Sequence, residues 1–274
     1  MKQAGRGGVA RVREERLPGP VPAYAHPGWQ TRFPWLAQGT TGRGGDVAFD
    51  LGLRGAAPVG AAMERWQSLG AALGFARMAH AHQVHGARIL AHDGGAPGLL
   101  LSDACDGHVT ATPGILLTVS VADCVPVFLV DARRRAVALL HAGWRGVAAG
   151  MLEAGVRSLG ERFGSVAEDL HVHLGPSICG RCYEVGPEVF RALGREPPSR
   201  PTPIDLAGEL AQRARAAGVP ADRISASTRC TRCDASDFFS HRAHVAGAGP
   251  AGHQVGFLGI RTGGKATARV DRIP

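Results

Sequence analysis

Apolar and β-branched residues gather in seven short runs: Val47–Leu53, Ala87–Ala91, Ile115–Val121, Val125–Val130, Ala136–Leu140, Leu170–Leu174 and Val255–Ile260. Runs of this length without a helical period predict strands of a partly buried sheet. Three further segments, Ala61–Leu73, Arg145–Phe163 and Ile204–Ala217, carry apolar residues at three- and four-residue steps and predict helices. Each ends at a glycine (Gly74, Gly164, Gly218), the residue that most readily closes a helix. Helices interleaved with strands predict a mixed α/β fold of the α+β kind.

Composition narrows the class. With 274 residues, 45% of them hydrophobic, the chain has ample material for a core. The Pro-rich stretch from Glu196 to Pro203 reads as a surface loop rather than an interdomain linker, so one domain is expected. The formal charge of +8 invites a nucleic-acid partner. Its distribution argues otherwise: nearly all of it is Arg, spread along the chain, with Lys only at Lys2 and Lys265. No apolar run is long enough to cross a bilayer, and a cytoplasmic protein is expected. Residues 1–27 read as a flexible basic leader ahead of a catalytic domain over 28–274. They hold Lys2, Arg6, Arg11, Arg13 and Arg16 without the apolar core of a secretory signal, and Glu14 and Glu15 interrupt any transit-peptide pattern.

Three segments carry chemistry. His80-Ala-His82-Gln-Val-His85-Gly86 holds three imidazoles, more than packing alone requires. Val121-Ala-Asp123-Cys124-Val-Pro126 interrupts an apolar strand with an acid and a thiol, and His141-Ala-Gly143-Trp144-Arg145-Gly146 stands where a strand passes into a helix. Strand ends that open into helix N-termini collect active-site groups because the backbone N–H groups there are free. Two imidazoles and one thiolate suit zinc with a fourth position left for water or substrate. The same set is the core of a blue-copper centre, but no Met lies in a ligand motif. His-x-His pairs occur only at His80/His82 and His171/His173, too few for a multicopper cluster.

These segments resemble the laccase-domain, or multicopper polyphenol oxidoreductase, family, whose members are regarded as zinc-dependent purine nucleoside phosphorylases. QVHG (Gln83–Gly86), ADCVPV (Ala122–Val127), HAGWRG (His141–Gly146), GPSI (Gly175–Ile178), YEVG (Tyr183–Gly186), Cys230-Thr231 and FFSHR (Phe238–Arg242) match in order, from about Gly45 to Arg261. The resemblance implies zinc on His85, Cys124 and His141, with copper as the alternative metal. It also implies phosphorolysis of adenosine, inosine, guanosine and S-methyl-5'-thioadenosine, with adenosine deamination as a side activity. The partners expected are a small nucleoside and inorganic phosphate, with no nucleic acid or membrane. The fold expected is a single domain of mixed sheets flanked by helices in α-β-β-α layers. Two departures stand out: Asp50 replaces the family's usual Asn, and Gly252-His253 replaces a Gly-Arg pair, so His253 would contact phosphate only when protonated.

Arg65, Arg145 and Arg242 are candidate phosphate or substrate contacts, since a guanidinium fork matches phosphate oxygens. Asp50 joins them as a candidate substrate contact at the Asn position. Asp123 and Asp103 are candidate proton carriers, or partners that orient a ligand imidazole, with Cys124 at the catalytic centre. His82, three residues from His85, is left out of the ligand set. Cys179-Gly-Arg-Cys182 and Cys230-Thr-Arg-Cys233 form two C-x-x-C pairs 47 residues apart, longer than the usual zinc-ribbon loop. Reduced thiols are therefore expected over a four-cysteine site. Rival functions are a hydrolase that edits peptidoglycan precursors, a copper-dependent polyphenol oxidase, and a metal-binding partner protein without turnover.

Overall fold

Two seven-stranded sheets stacked face to face form the frame of the computed structural model, which describes residues 9–45, 48–53 and 58–263. The first sheet runs in the order Ala10–Val12, Ile224–Ser227, Leu170–Leu174, Val125–Asp131, Ala136–Ala142, Gly107–Thr110, Ile89–Ala91. The second runs Glu15–Arg16, Ala23–Ala25, Leu36–Thr41, Gln254–Ile260, Ile115–Val121, Arg77–Ala81, Gly98–Ser102. Both mix parallel and antiparallel pairs.

Alternation along the central strands explains the stacking. Phe128, Val130, Val137 and Leu139 of the first sheet meet Ile115, Leu117, Val119 and Leu258 of the second in an apolar layer between the sheets. The opposite side of the first sheet, with Val127, Leu129 and Leu140, packs on Leu152 and Leu159 of helix Met151–Phe163 and Leu210 of helix Leu206–Ala216. Trp66, Leu69 and Leu73 of helix Val59–Leu73 cover the outer side of the second sheet through Leu116 and Phe257. The result is one domain in α-β-β-α layers. Each interior strand buries both faces, which is why the runs look continuously apolar.

Several sequence expectations need correction. Among the described residues of Val47–Leu53, none is in a strand, and Val47 itself lies outside the described residues. The segment is a loop whose Leu51 N–H donates to the His253 carbonyl and whose Asp50 carbonyl accepts from Arg65 of helix Val59–Leu73. The single helix expected over Arg145–Phe163 is two, Trp144–Ala148 and Met151–Phe163, because Gly150 adopts a φ of 79° between them. The strand expected over Ala87–Ala91 is shorter, Ile89–Ala91. Strands Leu36–Thr41 and Gly107–Thr110 were not expected, because Gln38, Thr40, Thr41 and His108 break their apolar patterns although all four are buried.

The basic leader is also corrected, for residues 9–27. Ala10–Val12 pairs in parallel with Ser225–Ser227, and Ala23–Ala25 pairs with the Leu36–Thr41 strand. Glu14 is buried, with its carboxylate accepting from His173 Nε2 at 2.9 Å and from Ser227 Oγ at 2.7 Å. No local pattern marks this, because Glu14 meets a histidine 159 residues away, and Val21, Ala23, Tyr24 and Ala25 are buried in a segment rich in charge and proline. Residues 1–8 lie outside the described residues.

Candidate metal centre

Register brings the ligand segments together. The chain leaves the second sheet at Val121 and enters the first at Val125, so Asp123 and Cys124 sit on the crossing between sheets. Val125 pairs with Ala142 and Pro126 with His141, which sets Cys124 opposite Gly143. A Cβ at Gly143 would lie 2.9 Å from Cys124 Sγ and 3.0 Å from His85 Cδ2, so this position must stay bare. On the other edge of the same strand, Leu140 pairs with Gly107, which places Asp106 beside His141.

Asp106 organises the candidate ligands. Its fully buried carboxylate accepts the backbone N–H groups of Val84 (3.1 Å), His85 (2.8 Å) and Gly86 (2.8 Å), and Oδ1 lies 2.9 Å from His141 Nδ1. With Nδ1–H donating to the acid, the lone pair of His141 is on Nε2, the atom a metal would take. The three N–H bonds hold His85 at a φ of 59°, a left-handed conformation costing a β-carbon residue about 1–3 kcal/mol. His85 Nε2 then stands 3.9 Å from Cys124 Sγ, and the His85 and His141 rings meet edge to face with centroids 4.8 Å apart. One ligand atom from each of His85, Cys124 and His141 lies within 4.8 Å of the others.

Electrostatics favours the thiolate of Cys124 and the charged form of His141, whose proton metal binding would displace. Burial pushes the Cys124 thiol up, but the charge of His141 and hydrogen bonds from His141 and His85 pull it down to about 6. Burial disfavours the charged form of His141, and the Cys124 thiolate with Asp106 more than offsets it and drives the ring upward. For Asp106, burial is outweighed by the His141 hydrogen bond and the backbone N–H groups, so its carboxyl stays below the usual range. A deprotonated thiol, an oriented imidazole and a partly exposed second imidazole are a donor set that fits a metal ion.

Asp123 braces the thiol. Also at positive φ (87°), it accepts from Thr231 Oγ1 at 2.6 Å on Oδ1 and from the Arg242 backbone N–H at 2.7 Å on Oδ2, while its carbonyl accepts from Ile178 N. Both carboxylate oxygens are committed to these contacts. Asp103 is exposed, and the acid that orients the imidazole is Asp106, three residues later. Sequence reading missed Asp106, although an acid in Cys105-Asp106-Gly107, next to a buried strand, was the available signal.

The cations separate into two groups. Arg242 stacks over Tyr183 at 5.3 Å and donates to the Glu184 carbonyl at 2.8 Å, and the exposed Arg145 stacks over Trp144 at 4.3 Å. Burial raises the Tyr183 phenol to about 12; the Cys124 charge adds to the rise and Arg242 and Arg145 oppose it, so these side chains share one neighbourhood with the thiol. Arg65 instead donates to the Asp50 carbonyl at 3.0 Å. Asp50 Oδ1 accepts the backbone N–H groups of Gly52 and His253, so this side chain ties two loops together. Burial holds the His253 ring below its usual pKa, which works against a protonated phosphate contact.

The other candidates lie apart from the metal group. His82 is exposed and outside the cluster; His80 is buried against Thr118, Ser120 and the Trp66 ring. In the second His-x-His pair, His173 bonds Glu14 and Ser225 while His171 packs on Phe33. Neither pair contributes to a metal-ligand group among the described residues. Burial pushes the Cys105 thiol up to about 11, an inert core group. No helix among the described residues is long and apolar enough to cross a membrane.

The chain is similar to known proteins over much of its length. The chain is 38% identical over 202 residues to a purine nucleoside phosphorylase of Deinococcus radiodurans, covering 70% of this chain and 74% of that one. It is 38% identical over 151 residues to adenosine deaminase RL5 of an unknown prokaryotic organism, covering 51% of this chain and 57% of that protein. Its match to purine nucleoside phosphorylase YlmD of Geobacillus stearothermophilus, 36% identical, covers 57% of this chain and 60% of the relative. The crystal structure of YlmD from that organism superposes with a TM-score of 0.81 at 28% identity, over 91% of this chain and all of that one. YfiH of Bacillus licheniformis gives 0.79 at 27% identity, over 90% of this chain and 98% of its own. Residues 39–261 match the family described as multi-copper polyphenol oxidoreductase laccase, and the chain belongs to that family.

Proposed function

We propose that this chain is a zinc-dependent purine nucleoside phosphorylase. The observation that carries the reading is the His85–Cys124–His141 group, its inner imidazole oriented by buried Asp106, with Arg145, Arg242 and Tyr183 gathered around the thiol. The names of the relatives from Deinococcus and Geobacillus support the substrate class. Two imidazoles and a thiolate suit zinc, and neither His-x-His pair supplies the further imidazoles of a copper cluster.

The chain's own groups divide the work. Phosphorolysis needs an anion held against the sugar's anomeric carbon while the purine departs. Arg145 and Arg242 supply permanent positive charge for phosphate at the rim. Tyr183 keeps its proton at neutral pH and serves as a neutral hydrogen-bond donor. Asp106 fixes the tautomer and direction of His141, and Asp123 holds the turn that presents Cys124. His85, Cys124 and His141 would hold the zinc, which would supply Lewis-acid chemistry and the activation of a water near neutral pH.

Adenosine, inosine, guanosine and S-methyl-5'-thioadenosine are the substrates proposed. Deamination of adenosine is the second reading, favoured by the likeness to adenosine deaminase RL5. The deciding experiment incubates zinc-loaded protein with adenosine, with and without phosphate. Phosphate-dependent release of adenine, abolished in Cys124→Ala and His141→Ala, supports the phosphorylase; inosine formed without phosphate supports the deaminase. No turnover of either kind by the zinc-loaded chain overturns both and returns the precursor hydrolase and the non-catalytic metal binder.

A further inference from the structure

The four cysteines set aside in the sequence as reduced thiols converge in space. Strands Leu170–Leu174 and Ile224–Ser227 are parallel neighbours, so the loops that follow them leave the sheet side by side. Ser177 and Cys230 continue the pairing as an isolated parallel bridge, and Thr231 N donates to the Ser177 carbonyl at 3.1 Å. The first C-x-x-C turns tightly, with Cys182 N donating to the Cys179 carbonyl at 2.9 Å. The second is closed by Asp234, whose N–H donates to the Cys230 carbonyl and whose carboxylate accepts the Cys230 N–H. The 47 residues between the pairs, too long for a ribbon loop in sequence, are spanned by adjacency of two strands.

The sulfur geometry is that of a metal cage. All four Sγ atoms lie within 4.8 Å of one another, with Cys182 and Cys233 at 3.4 Å. A tetrahedron of thiolates at about 2.3 Å from zinc has edges of about 3.8 Å, whereas a disulfide requires about 2.05 Å. Cys230 Sγ also accepts the Cys179 backbone N–H at 3.3 Å, the kind of contact that stabilises a thiolate. Four sulfur donors with no oxygen or imidazole exclude hard cations and leave no open position for substrate.

We propose that Cys179, Cys182, Cys230 and Cys233 hold a second, structural zinc ion. This site is closed, unlike the His85–Cys124–His141 group, and serves position rather than chemistry. It clamps the two loops that grip Asp123, since Ile178 N and Thr231 Oγ1, each next to a cluster cysteine, both donate to that residue. Zinc there fixes the frame behind Cys124 and ties the segment between the two pairs to the sheet.

Metal analysis of the intact chain and of Cys124→Ala, purified without chelator, tests this without disturbing the cluster. The expected result is one tightly held zinc in Cys124→Ala, with cobalt(II) in its place giving thiolate charge-transfer absorption at one equivalent. Failure of the His85–Cys124–His141 reading leaves that equivalent in place, so the two ideas fail separately. Cys182→Ser/Cys233→Ser is expected to lose the equivalent and melt at lower temperature, with the Cys124 site still able to take metal. Finding no zinc in Cys124→Ala, iron in its stead, or fewer than five free thiols after denaturation of that variant in chelator overturns the proposal.

Discussion

His141 Nδ1 lies 2.9 Å from Asp106 Oδ1, and the same carboxylate takes three successive backbone N–H groups from Val84 to Gly86. One buried acid therefore orients one candidate ligand directly and holds the backbone of another. Asp106→Asn puts an NH2 group against donors and weakens both functions. Metal affinity is expected to fall about 10- to 100-fold, read by competition with a chelator, while the far-ultraviolet circular dichroism stays that of the parent.

Gly143 stands against Cys124 Sγ and His85 Cδ2 with no room for a methyl group. Gly143→Ala must push one of them aside. Loss of stoichiometric metal at the His85–Cys124–His141 group and of nucleoside turnover is expected, at a stability cost of about 1–3 kcal/mol. Parent-like metal content with parent-like kcat would show that the ligands sit elsewhere.

Thr231 donates to Asp123 at 2.6 Å in the buried frame behind the thiol. Thr231→Val keeps the shape and removes the hydrogen bond, a loss of about 1–3 kcal/mol. Turnover is expected to drop through kcat more than KM, with metal still bound. Equal loss in Thr231→Val and Thr231→Ser would point to packing instead.

Arg145 is exposed and stacked on Trp144, so replacing it leaves the core untouched. A charge-assisted contact to phosphate is worth about 1.5–3 kcal/mol, or about 10- to 100-fold. Arg145→Gln is expected to lower kcat/KM for phosphate by that factor with metal content and melting temperature unchanged. An unaltered phosphate dependence would remove Arg145 from the anion site.

Acid should destabilise the fold in two stages. Burial holds His26 and His171 down to about 4 from 6.5, so the stability they confer is full above pH 6.5 and is lost as pH falls toward 4. Burial alone would raise the Glu14 carboxyl, but its bonds with His173 and Ser227 hold it below 4.5, so its contribution is present above 4.5 and lost at lower pH. Melting temperature against pH should fall through both windows. Glu14→Gln should be less stable near neutrality and flatter below 4.5; a parallel curve would place Glu14 outside the linkage.

The sequence by itself determined the mixed α/β class and the strands Ile115–Val121, Val125–Asp131, Ala136–Ala142, Leu170–Leu174 and Gln254–Ile260, and it singled out the three candidate ligand segments. Those signals are local: apolar runs such as Ile115–Val121 persist because both faces of the strand are buried, and a thiol or imidazole inside such a run is conspicuous. Tertiary structure alone decided what depends on distant partners. Asp106 became the organising acid through the pairing of Leu140 with Gly107. An apparent leader pairs into both sheets, with Glu14 buried against His173. The two C-x-x-C pairs met because their strands are parallel neighbours. Each of these is a pairing between residues far apart along the chain, and composition and periodicity carry no record of which distant polar groups a fold will bury together.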